Sequence, residues 1–275
     1  MKYLKFSIIF ALALLLVACG NSDNGKDSKQ SDNKSFTVGF GPGTYEEIFR
    51  EGALTILEKK GYDVKIKTFS QTDQINPAMK DGDIQASIFQ STAYMNSIND
   101  KIDAKMIKNN DVPTAPQSLW SKKHESLDDV KDGQTIAVPN DPVNQERALR
   151  ILEDLGWIKL DNKTTGVNFK LSSVQPGKYD LKFSEVAAPQ VLRSLEDVDY
   201  GVVNGNYIAD SGQKISDALV VEKTPDEHKV MLSINESDKD KEWAKALRDT
   251  YNDPEFKKWF RDHKEYSGYI EPTEC

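Results

Sequence analysis

Cysteine is almost missing from this chain, with two in 275 residues, Cys19 and Cys275. That excludes a disulfide framework and a cysteine zinc site. Histidine is hardly commoner: His124, His228 and His263 stand apart without ligand spacing, so no metal and no cofactor is expected. Positive charge is also short, 36 Lys and Arg against 44 Asp and Glu for a net charge of −8, which speaks against nucleic acid. Catalytic signatures are lacking too. There is no nucleophile elbow, no H-E-x-x-H helix and no serine–histidine–acid order, and acidic pairs such as Asp128-Asp129 sit in polar loops. An enzyme is therefore not expected. Long apolar runs number one, Phe6 to Val17. It falls short of the roughly 20 residues that a membrane-spanning helix needs, and no second run follows.

What is present begins with that run. Lys2 and Lys5 precede it and the small residue Ala18 ends it, the three parts of a secretory signal, so residues 1–18 read as a signal peptide. Loss of its two lysines takes the net charge to −10. The step Leu16-Val17-Ala18-Cys19-Gly20 resembles a bacterial lipobox. That resemblance implies diacylglycerol on Cys19 and a lipid-anchored body on the extracytoplasmic face of the cell membrane, held stably by two or more acyl chains. Residues 19–35 hold almost nothing apolar to offset the cost of ordering a backbone, and read as a disordered tether. The remainder suits one large domain or two modest ones.

From Ser35 short β-rich runs alternate with helical ones, the pattern of an α/β protein. Strands are predicted at 36–40, 64–69 and 84–89, with helices at 46–60 and 75–80 between them, forming a β-α-β-α-β unit. A second unit is predicted from strand 135–138, helix 142–155, strand 167–172, helix 189–195 and strand 200–203. Strands near 219–221 and 229–234 and helices at 239–251 and 254–262 complete the chain. The expected architecture is two-lobed with a ligand cleft between the lobes: residues 36–112 in lobe 1, 113–205 in lobe 2, and 206–275 returning to lobe 1.

Ligands of open α/β sheets gather at the carboxyl ends of strands. Four such places stand out. Gly39-Phe40-Gly41-Pro42-Gly43-Thr44-Tyr45 is a glycine turn without G-x-G-x-x-G spacing, suited to close backbone approach, with Tyr45 placed to cover an apolar group. Phe89-Gln90-Ser91-Thr92-Ala93-Tyr94 offers Phe89 and Tyr94 as pocket walls or as core, with Gln90 and Ser91 as neutral hydrogen-bonding groups. Asp141-Pro142 fixes a helix start, cap then first position, that puts Asn144 and Arg147 on one face. A guanidinium there either grips a carboxylate with two parallel bonds or sits exposed beside a Glu146–Arg150 pair. Val203-Asn204-Gly205-Asn206 is either a simple turn or a pair of amides facing a ligand.

At these segments the chain resembles the NlpA/MetQ family of methionine-binding lipoproteins. The resemblance rests on VGFGPGTYEEI, MKDGDIQASIFQ, SLDDVKDGQTIAVPNDPVNQERAL and DYGVVNGNYIADSG, and covers the body that follows the tether. It implies a periplasmic-binding-protein-like fold that closes over an amino acid or a short peptide and serves an ABC permease in the membrane. It also implies Arg147 on the ligand carboxylate, Asn144 and Asn204 on its polar backbone, and Phe69, Phe89 and Tyr94 around its side chain. The family usually has histidine where Ser91 stands and tyrosine where Thr72 stands, which predicts a wider or wetter side-chain end. Other expectations are a different carboxylate-bearing solute or, from another class, a lipid-anchored enzyme or an adhesin.

Overall fold

The β-branched and aromatic runs become strands of two separate five-stranded sheets. The computed structural model describes residues 34–272 except 162 and 164. The signal peptide, Cys19, nearly all of the tether and Cys275 lie outside the described residues. The strands in chain order are β1 (Ser35–Phe40), β2 (Asp63–Thr68), β3 (Ala86–Ser91), β4 (Met106–Asp111), β5 (Ser118–Trp120) and β6 (Thr135–Pro139). They continue with β7 (Ile158–Leu160), β8 (Val174–Pro176), β9 (Lys182–Val186), β10 (Tyr200–Val203), β11 (Val220–Val221) and β12 (Val230–Asn235).

Sheet order in lobe 1 is β2-β1-β3-β12-β4, and in lobe 2 it is β11-β5-β10-β6-β9. Each sheet joins a parallel part to an antiparallel one. In lobe 1, β1 runs parallel to β2 and β3, while β12 runs antiparallel between β3 and β4. In lobe 2, β6 runs parallel to β9 and β10, while β5 runs antiparallel to β10 and β11.

Lobe 1 packs around Phe36, Phe40, Phe49, Leu57, Ile88 and Leu232, and the late helices Glu242–Asn252 and Pro254–Asp262 close it with Trp243, Leu247 and Phe256. Burying a side chain of that size is worth about 1.5–3 kcal/mol, so the return of the C-terminal chain is driven by apolar area. The helix predicted at 46–60 forms from Tyr45 to Lys59 but is widened by a π turn at Phe49–Ala53. Gly52 in that turn leaves room for a ring: a Cβ there would lie 2.5 Å from Trp259. Lobe 2 packs around Leu119, Ile136, Val138, Leu149, Leu152, Trp157 and Tyr200.

Three expectations change. The strand predicted at 167–172 is a pair of 3-10 turns, Gly166–Asn168 and Leu171–Ser173. Val167 points to solvent while Phe169 is buried, so there is no continuous apolar face for a strand to pair on. The parallel neighbour of β6 is instead β9, further along the chain. Helix 189–195 shortens to Val191–Ser194 after a 3-10 turn. The return to lobe 1 also begins later than residue 206, because β11 still pairs with β5 in the second sheet and only β12 rejoins the first.

Two segments cross between the lobes, 112–117 and 222–229. They are tied together: the Val112 amide donates to Val230 O at 3.1 Å, and the Val230 amide donates to Thr114 Oγ1 at 2.8 Å. Thr114 and Ile270 exchange backbone bonds of 2.9 and 2.8 Å, so the C-terminal segment also braces the crossing.

Candidate ligand cleft

Between the two sheets lies a cleft of about 610 Å³. That falls within the roughly 300–1,000 Å³ of small-molecule sites. Lobe 1 lines it with Tyr45, Thr72, Phe89, Gln90, Ser91 and Tyr94, and lobe 2 with Asp141, Asn144, Arg147 and Asn204.

The lobe 2 wall is assembled by the helix Pro142–Asp154. Asp141 caps it, its Oδ1 accepting the Asn144 amide at 2.9 Å, and Pro142 supplies a first position that needs no amide proton. The cap sets the phase of the first turns and thereby sends Asn144 and Arg147 to the cleft. Of the two readings of Arg147, the exposed one is overturned: Arg147 is buried, although Glu146 and Arg150 do pair beside it. Arg147 makes a two-pronged ion pair with Glu222, Nε to Oε1 at 2.5 Å and Nη2 to Oε2 at 2.6 Å, and both side chains are 6% exposed. Among the described residues its Nη1 makes no hydrogen bond.

Glu222 stands at the start of the second crossing segment. Its Oε2 also accepts the Thr224 hydroxyl at 2.7 Å and the Gln117 amide at 3.1 Å. Gln117 is buried at the end of the first crossing segment, and its Nε2 donates to Asn204 Oδ1 at 2.9 Å. The Asn204 side-chain carbonyl is thus occupied, and its amino group faces Asn144 Oδ1 at a long 3.5 Å. Asn144 is oriented the opposite way, because its Nδ2 donates to both Asp141 oxygens at 3.2 Å. Gln117 and Glu222 carry no local signal in the sequence. Glu222 lies 75 positions from Arg147, and only the fold joins them.

The lobe 1 wall is held from behind. Gln90 and Asn76 exchange amide bonds of 2.7 and 2.9 Å, and Gln90 Nε2 also reaches Ser233 Oγ at 3.2 Å. Both protons of the Gln90 amide are therefore committed to the scaffold. Ser91 Oγ caps the helix Thr92–Ile102 by accepting the Tyr94 amide at 3.3 Å. Phe89 and Tyr94 meet edge to face, ring centres 6.2 Å apart, and line the cleft together. Phe69 does not reach it. Its ring packs behind the wall with Ile75, Met79 and Ile84, and it is absent from the lining. Tyr45 lines the cleft and takes the Ala115 amide on its hydroxyl at 3.3 Å. Gly43, in the turn before it, has φ +109°, and a Cβ there would lie 2.4 Å from Asn206 Nδ2. Glycine is required on both counts.

The titratable groups of the cleft are few. Burial pushes the Tyr207 hydroxyl up to about 12 and those of Tyr45 and Tyr94 further, so all three are neutral donors at pH 7. Burial, with the Arg147 charge, holds the His228 imidazole below its ordinary value and hence neutral. Burial raises the Asp141 carboxyl, against the opposing pull of the Asn144 bonds and Arg147. Among the described residues no cluster of His, Cys, Asp and Glu could hold a metal ion, and no helix is long and apolar enough to cross a membrane.

The family model for NlpA lipoprotein matches residues 36–273. The chain belongs to the NlpA lipoprotein family. Within it, the methionine-binding lipoprotein MetQ of Bacillus subtilis is 29% identical over 97% of each chain. The D-methionine-binding lipoprotein MetQ of Salmonella typhi is 31% identical over 91% of this chain and 93% of its own. Among solved structures, a nutrient binding protein from Burkholderia cenocepacia bound to methionine is 32% identical with a TM-score of 0.80, covering 86% of this chain and 99% of that one. A periplasmic substrate-binding protein of an ABC transporter from Coxiella burnetii is 30% identical with a TM-score of 0.78, covering 86% and 100%. The two-lobed arrangement is therefore the periplasmic-binding-protein-like fold of this NlpA family.

Proposed function

We propose that this protein is a lipid-anchored substrate-binding protein of an ABC importer, capturing methionine, a methionine-like amino acid or a short methionine-containing peptide between its lobes. One observation carries the reading. The cleft brings Asn144, Arg147 and Asn204 together opposite the rings of Phe89 and Tyr94, in a fold shared with a relative solved with methionine bound. Arg147 Nη1 and the Asn204 amino group are donors suited to a carboxylate, and the rings suit an apolar side chain. Closure of the lobes about segments 112–117 and 222–229 would trap the ligand, and docking on the permease would release it. Anchoring through Cys19 is part of the proposal, supported by the lipobox-like step and by relatives that are named lipoproteins.

Two features favour a ligand larger than free methionine. Thr72 and Ser91 place small polar groups at the side-chain end, and Ser70, Gln71 and Gln190 extend that polar lining. The deciding experiment is native mass spectrometry of protein purified without added ligand, followed by titration with methionine and with methionine dipeptides. Recovery of an amino acid or short peptide, and a melting temperature that climbs with its concentration, is the expected result. Recovery of a sugar, or no response to any member of the series, overturns the reading.

A further inference from the structure

We propose that the C-terminal segment 266–271 is a third strap between the lobes and that Tyr269 is its pivot, a positioning residue that sets the balance between open and closed cleft. The inference rests on the lobe-closure part of the reading above and assigns its control to a residue outside the cleft lining.

Both ends of the segment are fixed to lobe 1. Tyr266 is buried in that lobe's core and stacks on Phe260 with ring centres 5.5 Å apart, while the Glu271 carboxylate takes Arg261 Nε at 2.9 and 3.0 Å and Nη2 at 2.7 Å. Between these anchors the chain leans elsewhere. Gly268 has φ +97°, and a Cβ there would lie 3.3 Å from Ile215, which belongs to the core of lobe 2. Ile270 exchanges its two backbone bonds with Thr114 of the first crossing segment. Tyr269 stands between them. Among the described residues it is the one partly buried hydrophobic side chain packed against a core cluster of each lobe.

From Tyr269 the strap reaches the cleft. Its hydroxyl shares a hydrogen bond with the Thr44 hydroxyl, and its ring meets Tyr45 edge to face with centres 6.4 Å apart. Thr44 precedes the helix that begins at Tyr45, and Tyr45 both lines the cleft and takes the Ala115 amide of the first crossing segment. One side chain thus joins both cores to a wall of the cleft. The lobes stand together in this arrangement, because the helix Thr92–Ile102 of lobe 1 meets the turn Gly166–Asn168 of lobe 2. Swinging them apart about the crossing segments draws Ile215 away from Gly268 and Tyr269, since the strap's two ends stay with lobe 1. Contacts made in one arrangement and lost in the other shift the balance toward the first, here toward closure.

The test compares the native full-length chain in detergent, stripped of ligand, with Tyr269→Ala and Tyr269→Phe. The distance between lobes is read by electron paramagnetic resonance, from spin labels on ketone-bearing residues at the exposed positions Asp100 in lobe 1 and Lys159 in lobe 2, which leaves both cysteines alone. Methionine is then titrated by calorimetry. Tyr269→Ala is expected to lengthen the ligand-free distance and to weaken methionine about 3- to 30-fold, affinity falling with the closed fraction. Tyr269→Phe keeps the ring between the cores and is expected to lose about 3-fold at most, the scale of one neutral hydrogen bond. A native distance in Tyr269→Ala would overturn the inference whatever methionine does, even with the denaturant midpoint lowered, because Tyr269 would then be structural only. A longer distance with unchanged methionine affinity would overturn the link from the strap to ligand holding. A longer distance with methionine bound by no form, the native one included, would support the strap and overturn methionine as the ligand. Should Tyr269→Ala fail to fold, Tyr269→Leu fills the space without ring or hydroxyl and carries the same expected signs, and a native distance there overturns the strap.

Discussion

Lobe 1 faces the cleft with rings and neutral groups, Tyr45, Thr72, Phe89, Gln90, Ser91 and Tyr94, and with one exposed carboxylate, Asp73. Lobe 2 faces it with Asp141, Asn144, Arg147 and Asn204. The two walls are also braced differently. Lobe 1's is tied into its own core through Asn76, Gln90 and Ser233, whereas lobe 2's is tied through Glu222 and Gln117 to the segments that cross between lobes. Under the proposed function, recognition of the common part of a ligand would sit where the lobes are joined, and recognition of the variable part on a separately supported surface. On that reading, exchange of Thr72 or Ser91 would alter the cargo without disturbing the grip on the ligand's polar end.

The largest expected effect comes from Arg147→Ala. It leaves Glu222 buried and unpaired, which costs about 3–5 kcal/mol of stability in denaturant titration, and the response to ligand should vanish with it. The double variant Arg147→Met with Glu222→Gln removes both charges, so most of the stability should return while the ligand response stays lost. If the double variant still responds to ligand, the charged wall is not where the ligand is held.

On the neutral wall the matching disruption is Asn76→Ala. It strips Gln90 of the donor and acceptor that hold it, in a buried network, at a cost of about 1–3 kcal/mol. The stability loss should be read in denaturant, and affinity should fall less than in Arg147→Ala because the polar anchors are untouched. An affinity loss as large as that of Arg147→Ala would erase the distinction between the walls.

These two tests also mark what the sequence made legible. Helix 75–80 and strand 200–203 form as read because each carries its apolar period within its own few residues. The cap at Asp141 and Pro142 was equally local, and through it so was the direction of Asn144 and Arg147. Strand β4, Met-Ile-Lys-Asn-Asn-Asp, was not legible, since it is too polar to announce itself and is held by pairing with β12 far along the chain. β9 escaped for a related reason: it is a half-buried edge strand whose place is fixed by β6. The partners of the site lay further out of reach. Glu222 on Arg147 and Gln117 on Asn204 join residues 75 and 87 positions apart at the ends of the crossing segments, and Phe69, which the family resemblance implies as a pocket ring, packs into the core just after β2.

A finer test of the neutral wall is Thr72→Tyr. A ring at this lining position narrows the side-chain end, so the affinity ratio of methionine to its dipeptides should rise, by about tenfold, the scale of a change in apolar fit. Competition titration of the two ligands reads it. An unchanged ratio would place specificity elsewhere than on lobe 1.

The smallest effect separates two carboxylates within lobe 2, one at the cleft and one remote from it. Burial works against ionisation of Asp199, but the Thr135 amide at 2.8 Å, His124 at 3.3 Å and the Lys123 charge outweigh it and hold its carboxyl below the usual value. Its contribution to stability is thus present above the ordinary carboxylate pKa of about 3.9 and is lost as pH falls through the lower folded value. Asp141 has the opposite sign. Burial raises its folded-state value, so the unliganded protein holds that proton more tightly than the unfolded chain does, and a penalty grows as pH climbs past about 3.9 and is complete above the raised value. At pH 7, therefore, Asp199→Asn should lower the unliganded melting temperature and Asp141→Asn should raise it; on acidification the Asp141 difference should shrink first, between its raised value and about pH 3.9, and the Asp199 difference only below about pH 3.9. Shifts of the same sign would mean that the cleft carboxylate is a structural group like Asp199. Opposite signs would mean that its charge is maintained at the expense of stability, which is the signature of a group kept for a ligand.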